Sequence, residues 1–303
     1  MADRTVLLFG SKGQLARELA RNPWPAGLTP ICHGRAECDL ARSGDPLASV
    51  ERVKPVFVVN AAAYTAVDRA EAEPDAAFAL NRDAAGRVAA ACNRHGLPLV
   101  HISTDYVFDG DKHGPYVEGD PIAPISVYGA SKAEGEVAVR AAHDRHIILR
   151  TAWVYSPFGS NFVKTMLELG RTRDRLAVVT DQRGSPTAAG DIARTVVALA
   201  IAILGDNTRF GTYHFAGAGD VTRRDWADAI FAAAARHGRP APRLDPASSA
   251  DFPTAARRPA NSALDCSRIA RDYAILSRPW RESVEETVDE ILTGNGPNNE
   301  GGA

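Results

Sequence analysis

The stretch Thr5-Val6-Leu7-Leu8-Phe9-Gly10-Ser11-Lys12-Gly13-Gln14-Leu15-Ala16 decides the fold. Its first five residues are apolar and partly β-branched, the pattern of a parallel strand buried on both faces. They run straight into two glycines, after which apolar positions at Leu15, Leu19 and Ala20 keep a helical spacing. Glycines at a strand-to-helix turn let backbone approach a phosphate, which the N–H groups at the helix start then hold. The spacing is G-x-x-G-x-x-A, with alanine at the last small position. A plain turn explains the two glycines about as well, but their place between a first strand and a first helix favours phosphate binding.

Further short strands are expected at Leu28–Cys32, Val56–Val59, Leu99–Ile102 and Ile147–Leu149, with helical patterns between them. One helix runs from Ala76 to about His95, and spacing alone leaves Asn81 within it either buried or solvated. Such alternation from residue 5 to about 150 predicts an α/β chain built on a Rossmann-type, doubly wound parallel sheet. Beyond Tyr155 the alternation loosens. Helices are expected at 161–170, 191–204 and 224–237, strands at 176–179 and 213–215, and a loop rich in Pro, Ala and Ser at 240–259. The division that follows is a dinucleotide-binding domain over 1–155, with 190–215 returning to it. A smaller, mostly C-terminal α/β substrate-binding domain takes 156–189 and 216–292, and 293–303 forms a disordered tail.

Composition narrows the function. A chain of 303 residues can bury a substantial core, and a net charge of −2 gives no reason to expect nucleic acid or an anionic membrane as partner. The four cysteines (Cys32, Cys38, Cys92, Cys266) form no C-x-x-C pair and read as reduced thiols. Val6–Phe9 is too short for a signal peptide, and the longest apolar run, 196–204, is too short to span a bilayer. A cytoplasmic protein is expected.

The chemistry centres on Ser103-Thr104-Asp105-Tyr106 and Tyr128-Gly129-Ala130-Ser131-Lys132. On a helix, Tyr128 and Lys132 share one face a turn apart. A cation beside the phenol would lower its pKa and make it a better acid near neutral pH, as reduction of a carbonyl requires. Ser103, Thr104 and Asp105 end a strand, where open α/β sheets hold ligands. A Tyr-x-x-x-Lys pair alone is more often a surface phenol near a solvated lysine. Here it follows that strand end, in a chain with only five lysines that opens like a dinucleotide-binding domain. At the end of the second strand His33-Gly34-Arg35 offers no acid for a ribose hydroxyl; Arg35 could instead accept a 2′-phosphate, which leans towards NADPH, although a lone loop arginine is more often just solvated. Asp39-Leu40 fits an adenine-pocket edge, and the small residues Ala61–Ala63 let a flat cofactor lie on backbone or simply pack tightly. Arg257-Arg258 could grip a diphosphate, although on the residues alone a solvated surface pair is the better reading.

Several of these stretches resemble extended short-chain dehydrogenase/reductases and, more narrowly, the dTDP-4-dehydrorhamnose reductase family. They are Gly10–Leu15, Asn60–Asp68, Ser103–Phe108, Arg150–Tyr155, Asn161–Met166, Asp181–Thr187 and Ala256–Ser262, in order over residues 5–292. The resemblance implies reduction by NAD(P)H of the 4-keto group of dTDP-4-dehydro-β-L-rhamnose to dTDP-L-rhamnose. Tyr128 would protonate the C4 oxygen, Lys132 would bind the nicotinamide ribose, and Thr104 and Asp105 would bond the keto oxygen and a neighbouring hydroxyl. Trp153 would line the sugar pocket, with Asn161, Lys164 and Arg257 or Arg258 facing the diphosphate. Gly10, Ser11, Lys12, Gly13, Gln14, Leu15, Arg35, Asp39, Leu40, Ala62, Ala63, Tyr64, Thr65 and Ile102 would hold the cofactor. Some members form a homodimer around magnesium held by glutamates; here Ala16 and Gly190 occupy those neighbourhoods, with Glu18 the nearest N-terminal acid. No metal site is expected, and a homodimer stays open. Two rivals remain: a reductase of a different nucleotide-linked 4-keto-6-deoxy sugar, and a non-catalytic subunit like the β subunit of methionine adenosyltransferase, which resembles the same family. The presence of Thr104, Tyr128 and Lys132 together favours an enzyme.

Overall fold

The computed structural model describes residues 4–40, 42 and 45–294. The first half alternates as expected: β1 Arg4–Phe9, α1 Gln14–Arg21, β2 Leu28–His33, α2 Asp45–Val53 and β3 Phe57–Asn60. Short α3 Val67–Ala70 and α4 Pro74–Phe78 lead through one π turn, Ala79–Asp83, into α5 Ala84–Arg94. Then come β4 Leu99–Thr104, α6 Val127–Ala142 and β5 His146–Thr151. The second half holds β6 Val154–Tyr155, α7 Phe162–Thr172, β7 Arg175–Val179, β8 Arg183–Gly184, β9 Thr187–Ala188, α8 Ala189–Leu204 and β10 Gly211–His214. It ends with β11 Val221–Thr222, α9 Arg223–Ala235, β12 Arg243–Ala247, β13 Asn261–Ser262, α10 Ser267–Tyr273 and α11 Trp280–Thr293.

Six parallel strands form one sheet in the order β10-β5-β4-β3-β1-β2. Side chains alternate across it, and both faces are covered. Val6, Leu8, Phe57, Val59, Ile147 and Leu149 pack on α1 and α8, whereas Leu7, Phe9, Val58 and Ile148 pack on α2, α5 and α6. That double burial is why these strands read as continuous apolar runs. Strand order reverses between β1 and β3, so a crevice opens there beyond the carboxyl ends. A separate core joins α7, α9, α11 and β7 through Val163, Met166, Leu176, Trp226, Ile230, Val284 and Val288.

Two expectations need correction. The 240–259 loop contains β12, paired in parallel with β7 from Arg243 opposite Arg175 to Ala247 opposite Val179. Pro246 lacks an N–H donor, which an edge strand of a two-stranded sheet tolerates. Thr293 and Gly294, expected in a disordered tail, instead end α11, which runs through Thr293 and closes at Gly294 in a left-handed conformation; 295–303 lie outside the described residues. Among the described residues no helix is long and apolar enough to cross a membrane.

Candidate active site

The crevice is the mouth of a cavity of ≈ 1800 Å³. Single small ligands occupy roughly 300–1,000 Å³, so this space suits two ligands side by side. Every residue expected at cofactor or substrate lines it except Lys164. Gly10 has φ +106°, and a Cβ there would stand 3.0 Å from the Ala62 nitrogen, so only glycine lets the β1 turn pass the β3 turn this closely. No side chain caps α1 at Gly13, which leaves first-turn N–H groups for a ligand. Arg35 stands exposed at the rim. Two residues on, Glu37, unread in the sequence, lines the same wall and accepts the Gly34 N–H at 2.8 Å.

Ser126 caps α6 by accepting the Gly129 N–H at 3.2 Å, and the helix then presents Tyr128 and Lys132 to the end of β4. Asn81 proves buried. From the π turn it accepts the Tyr64 N–H at 2.8 Å and donates to the Tyr64 carbonyl at 3.1 Å and the Ser131 hydroxyl at 2.9 Å. One side chain thereby ties the 61–65 loop to α6, a use of a π turn at a site that apolar periodicity does not register.

Thr104 Oγ1 donates to Asp105 Oδ1 at 2.8 Å, and the Tyr106 ring meets Tyr128 edge-on at 5.5 Å between centroids. Asp105 is buried, and its pKa rises to about 6 because burial disfavours the charge; the Ser262 and Thr104 hydroxyls work the other way. Its Oδ2 has no hydrogen-bond partner within the protein. Lys132 is also buried and its pKa falls to about 8, burial outweighing the Glu136 carboxylate. Its ammonium donates to the Ile102 carbonyl at 2.7 Å and lies 3.5 Å from His101 Nε2. The lowered phenol pKa expected from a neighbouring cation is not found. Burial raises Tyr128 above its ordinary value, and the opposing influence is the Thr104 hydroxyl rather than Lys132.

Beneath the strand ends sits a buried ion pair. Glu136 accepts from Arg150 Nε at 2.8 Å and Nη2 at 2.7 Å, from the Ser103 hydroxyl at 2.6 Å and from Arg140 at 2.7 Å. It anchors α6 to β4 and β5.

The opposite wall comes from the C-terminal half. Trp153 adopts φ +45°, and a Cβ at Gly184 would strike its indole, so the ring is held against that strand. Asn161 caps α7 through the Lys164 N–H and donates to Gln14 Oε1 at 2.9 Å, joining the two halves of the wall. Lys164 points off the cavity, to the Pro157 carbonyl at 3.2 Å. Arg257 is exposed, whereas Arg258 is paired with Asp68 at 2.7 Å. Arg223, unread in the sequence, lies with its Cζ 3.6 Å from the Trp153 ring centroid.

The residues near Glu18 do not fit magnesium. Arg21 holds that carboxylate through Nε at 2.6 Å and Nη2 at 2.9 Å and also bonds Glu290. Gly190 offers no ligand, and a Cβ there would lie 3.6 Å from Glu18 Oε2. Among the described residues no group of three His, Cys, Asp or Glu is placed to hold a metal ion.

Parallel sheet, glycine turn and a Tyr–Lys helix at the end of β4 together define a Rossmann-type short-chain dehydrogenase/reductase. A family model described as RmlD substrate binding domain matches residues 4–293. A dTDP-4-dehydrorhamnose reductase of Sinorhizobium fredii is 43% identical over 289 residues, covering 95% of this chain and 97% of that protein. A probable dTDP-4,6-dihydroxy-2-methyloxan-3-one 4-ketoreductase of Streptomyces antibioticus is 38% identical over 98% of this chain and 99% of its own. The crystal structure of dTDP-4-dehydrorhamnose reductase from Bacillus anthracis in complex with NADP superposes with a TM-score of 0.87 at 35% identity, covering 96% of this chain and 100% of that one. The chain belongs to the dTDP-4-dehydrorhamnose reductase family.

Proposed function

We propose that this chain reduces the 4-keto group of dTDP-4-dehydro-β-L-rhamnose to dTDP-L-rhamnose with NADPH, NADH being the alternative donor. The observation that carries the reading is the convergence of Thr104, Tyr128 and Lys132 at the end of β4, inside the cavity that the Gly10 turn enters. The glycine turn, the Ala62–Thr65 loop and Lys132 hold the cofactor, which when bound supplies a hydride to C4.

Thr104 orients the keto oxygen. Tyr128, kept protonated by burial, gives its proton to that oxygen as negative charge develops on it. Lys132 stabilises the phenolate left behind and binds the nicotinamide ribose. Asp105, ionised above pH about 6, accepts a hydrogen bond from a neighbouring sugar hydroxyl through its unpartnered Oδ2. Residues 1–155 with 190–215 form the cofactor domain, and 156–189 with 216–292 the sugar-nucleotide domain. The four free cysteines support a cytoplasmic site of action.

The test is NADPH oxidation, followed by absorbance, with enzymatically prepared dTDP-4-dehydro-L-rhamnose and NMR of the product. Formation of dTDP-L-rhamnose is expected. The Streptomyces relative favours one second reading, a different dTDP-linked keto sugar. Turnover of that sugar but not of the rhamnose precursor would replace the first reading.

A further inference from the structure

Most arginines on this molecule have a carboxylate at hand: Arg175 meets Asp245 at 2.9 Å, Arg236 meets Glu285 at 2.9 Å, and Arg150 meets Glu136 at 2.7 Å. Arg223 differs. Among the described residues its guanidinium forms no ion pair, and its contacts are with aromatic rings: Trp153 at 3.6 Å, Phe162 at 5.3 Å and Trp226 at 5.4 Å to the centroids. It is the first residue of α9, a position where the helix macrodipole disfavours a cation. Burial pulls its pKa down to about 10. Arg223 is half-buried, and a cation partly withdrawn from water with no carboxylate in reach is left incompletely compensated.

The cavity shows what is missing. Arg223 and Asp105 line it together and interact electrostatically, yet neither reaches the other, and Asp105 Oδ2 has no partner. The gap between them is ligand space. Of the neighbouring basic groups, Arg258 binds both oxygens of Asp68, at 3.2 and 2.7 Å, Lys164 turns off the cavity to the Pro157 carbonyl, and Arg257 lines the cavity but stands exposed to solvent. A guanidinium over an indole face still carries N–H donors for two parallel bonds, the fork that suits a phosphate.

We infer that Arg223, stacked on Trp153, binds the diphosphate of the substrate's nucleotide and supplies the cation that Arg258 gives up to Asp68. The inference rests on the substrate being a nucleotide-linked sugar. Arg223 is a binding residue, outside the proton-transfer step.

Calorimetry on the full chain decides it, with dTDP, thymidine and inorganic pyrophosphate as separate probes. In Arg223→Gln, dTDP and pyrophosphate affinity should fall about 10- to 100-fold, the scale of a lost charge-assisted pair, while thymidine affinity holds. Arg223→Lys, which keeps the charge but not the fork, should recover part of the loss. In turnover KM should rise and kcat should stay within about twofold. Unchanged dTDP affinity in Arg223→Gln overturns the inference, as does an equal loss for thymidine, which would mark a collapsed wall. Wild-type protein that binds pyrophosphate through Arg223 but not dTDP would sustain the inference and sink the thymidine-nucleotide reading. Wild-type protein that binds neither would sink both.

Discussion

Asp105 and Lys132 bracket the pH range in which the site carries its working charges. Asp105 is ionised above about 6 and Lys132 is charged below about 8, so kcat/KM should fall as pH drops through the first value and as it rises through the second. Asp105→Asn should remove the acid limb, and Lys132→Arg, which stays charged, should move the alkaline limb upwards; a flat profile from pH 5 to 9 would strip both residues of these roles. Tyr128→Phe should lower kcat by roughly 10²–10⁴-fold and leave cofactor binding nearly intact. Wild-type turnover in that variant would end the assignment of Tyr128 as the acid. Tyr128 and Lys132 were legible because four-residue spacing on a helix and a polar strand end are local patterns. The raised phenol was not, because it depends on burial and on where the Lys132 ammonium turns, to the Ile102 carbonyl. Arg223 gave no signal at all, since an arginine opening an amphipathic helix looks like any solvated one.

At the scale of elements, Glu136 holds α6 against β4 and β5. Burial alone would raise its pKa, but Arg150 and the Ser103 hydroxyl bring it below the ordinary value. This contribution to stability is therefore present above the ordinary carboxylate range and is lost as pH falls through the depressed pKa. Glu136→Gln strips the buried Arg150 of its counter-charge and should cost about 3–5 kcal/mol, lowering Tm by roughly 10 °C. Glu134→Gln on the same helix breaks only a surface pair with Arg82 at 3.0 Å and should cost less than about 1 kcal/mol. Calorimetric melting of the two variants checks the contrast; equal shifts would show that the buried pair is not a tether. Strands β1, β3, β4 and β5 were readable from apolar runs because both faces of the sheet are covered there, whereas β2 is a half-exposed edge strand legible mainly from its place in the alternation. β12 was hidden by Pro246 and by a partner, β7, far away in the chain. The helices α2, α10 and α11 also went unread, although each bears on a core described above.

For the whole molecule, the decisive feature is one cavity walled by the sheet's carboxyl edge on one side and by the C-terminal half on the other. The Glu18 carboxylate, which would be a candidate ligand for magnesium, is held by Arg21. Activity should accordingly be unchanged after exhaustive treatment with a chelator; a loss restored by magnesium would refute that reading of the Arg21 pair. The sheet order and the site's place at its reversal follow from the alternation of strands and helices. The shape of the C-terminal wall does not, because it is assembled from two-residue strands such as β8 and β13 that carry no periodic signature.

Two of the four tryptophans, Trp153 and Trp226, stand in that wall, stacked on one another at 5.5 Å between centroids. Indole emission overlaps the absorption of a reduced nicotinamide, so a dihydronicotinamide lodged across the cavity will take up their excitation and re-emit it as blue light. The placement of these two indoles thus gives the cavity a built-in optical gauge of its reduced cofactor, readable in dilute solution without a label.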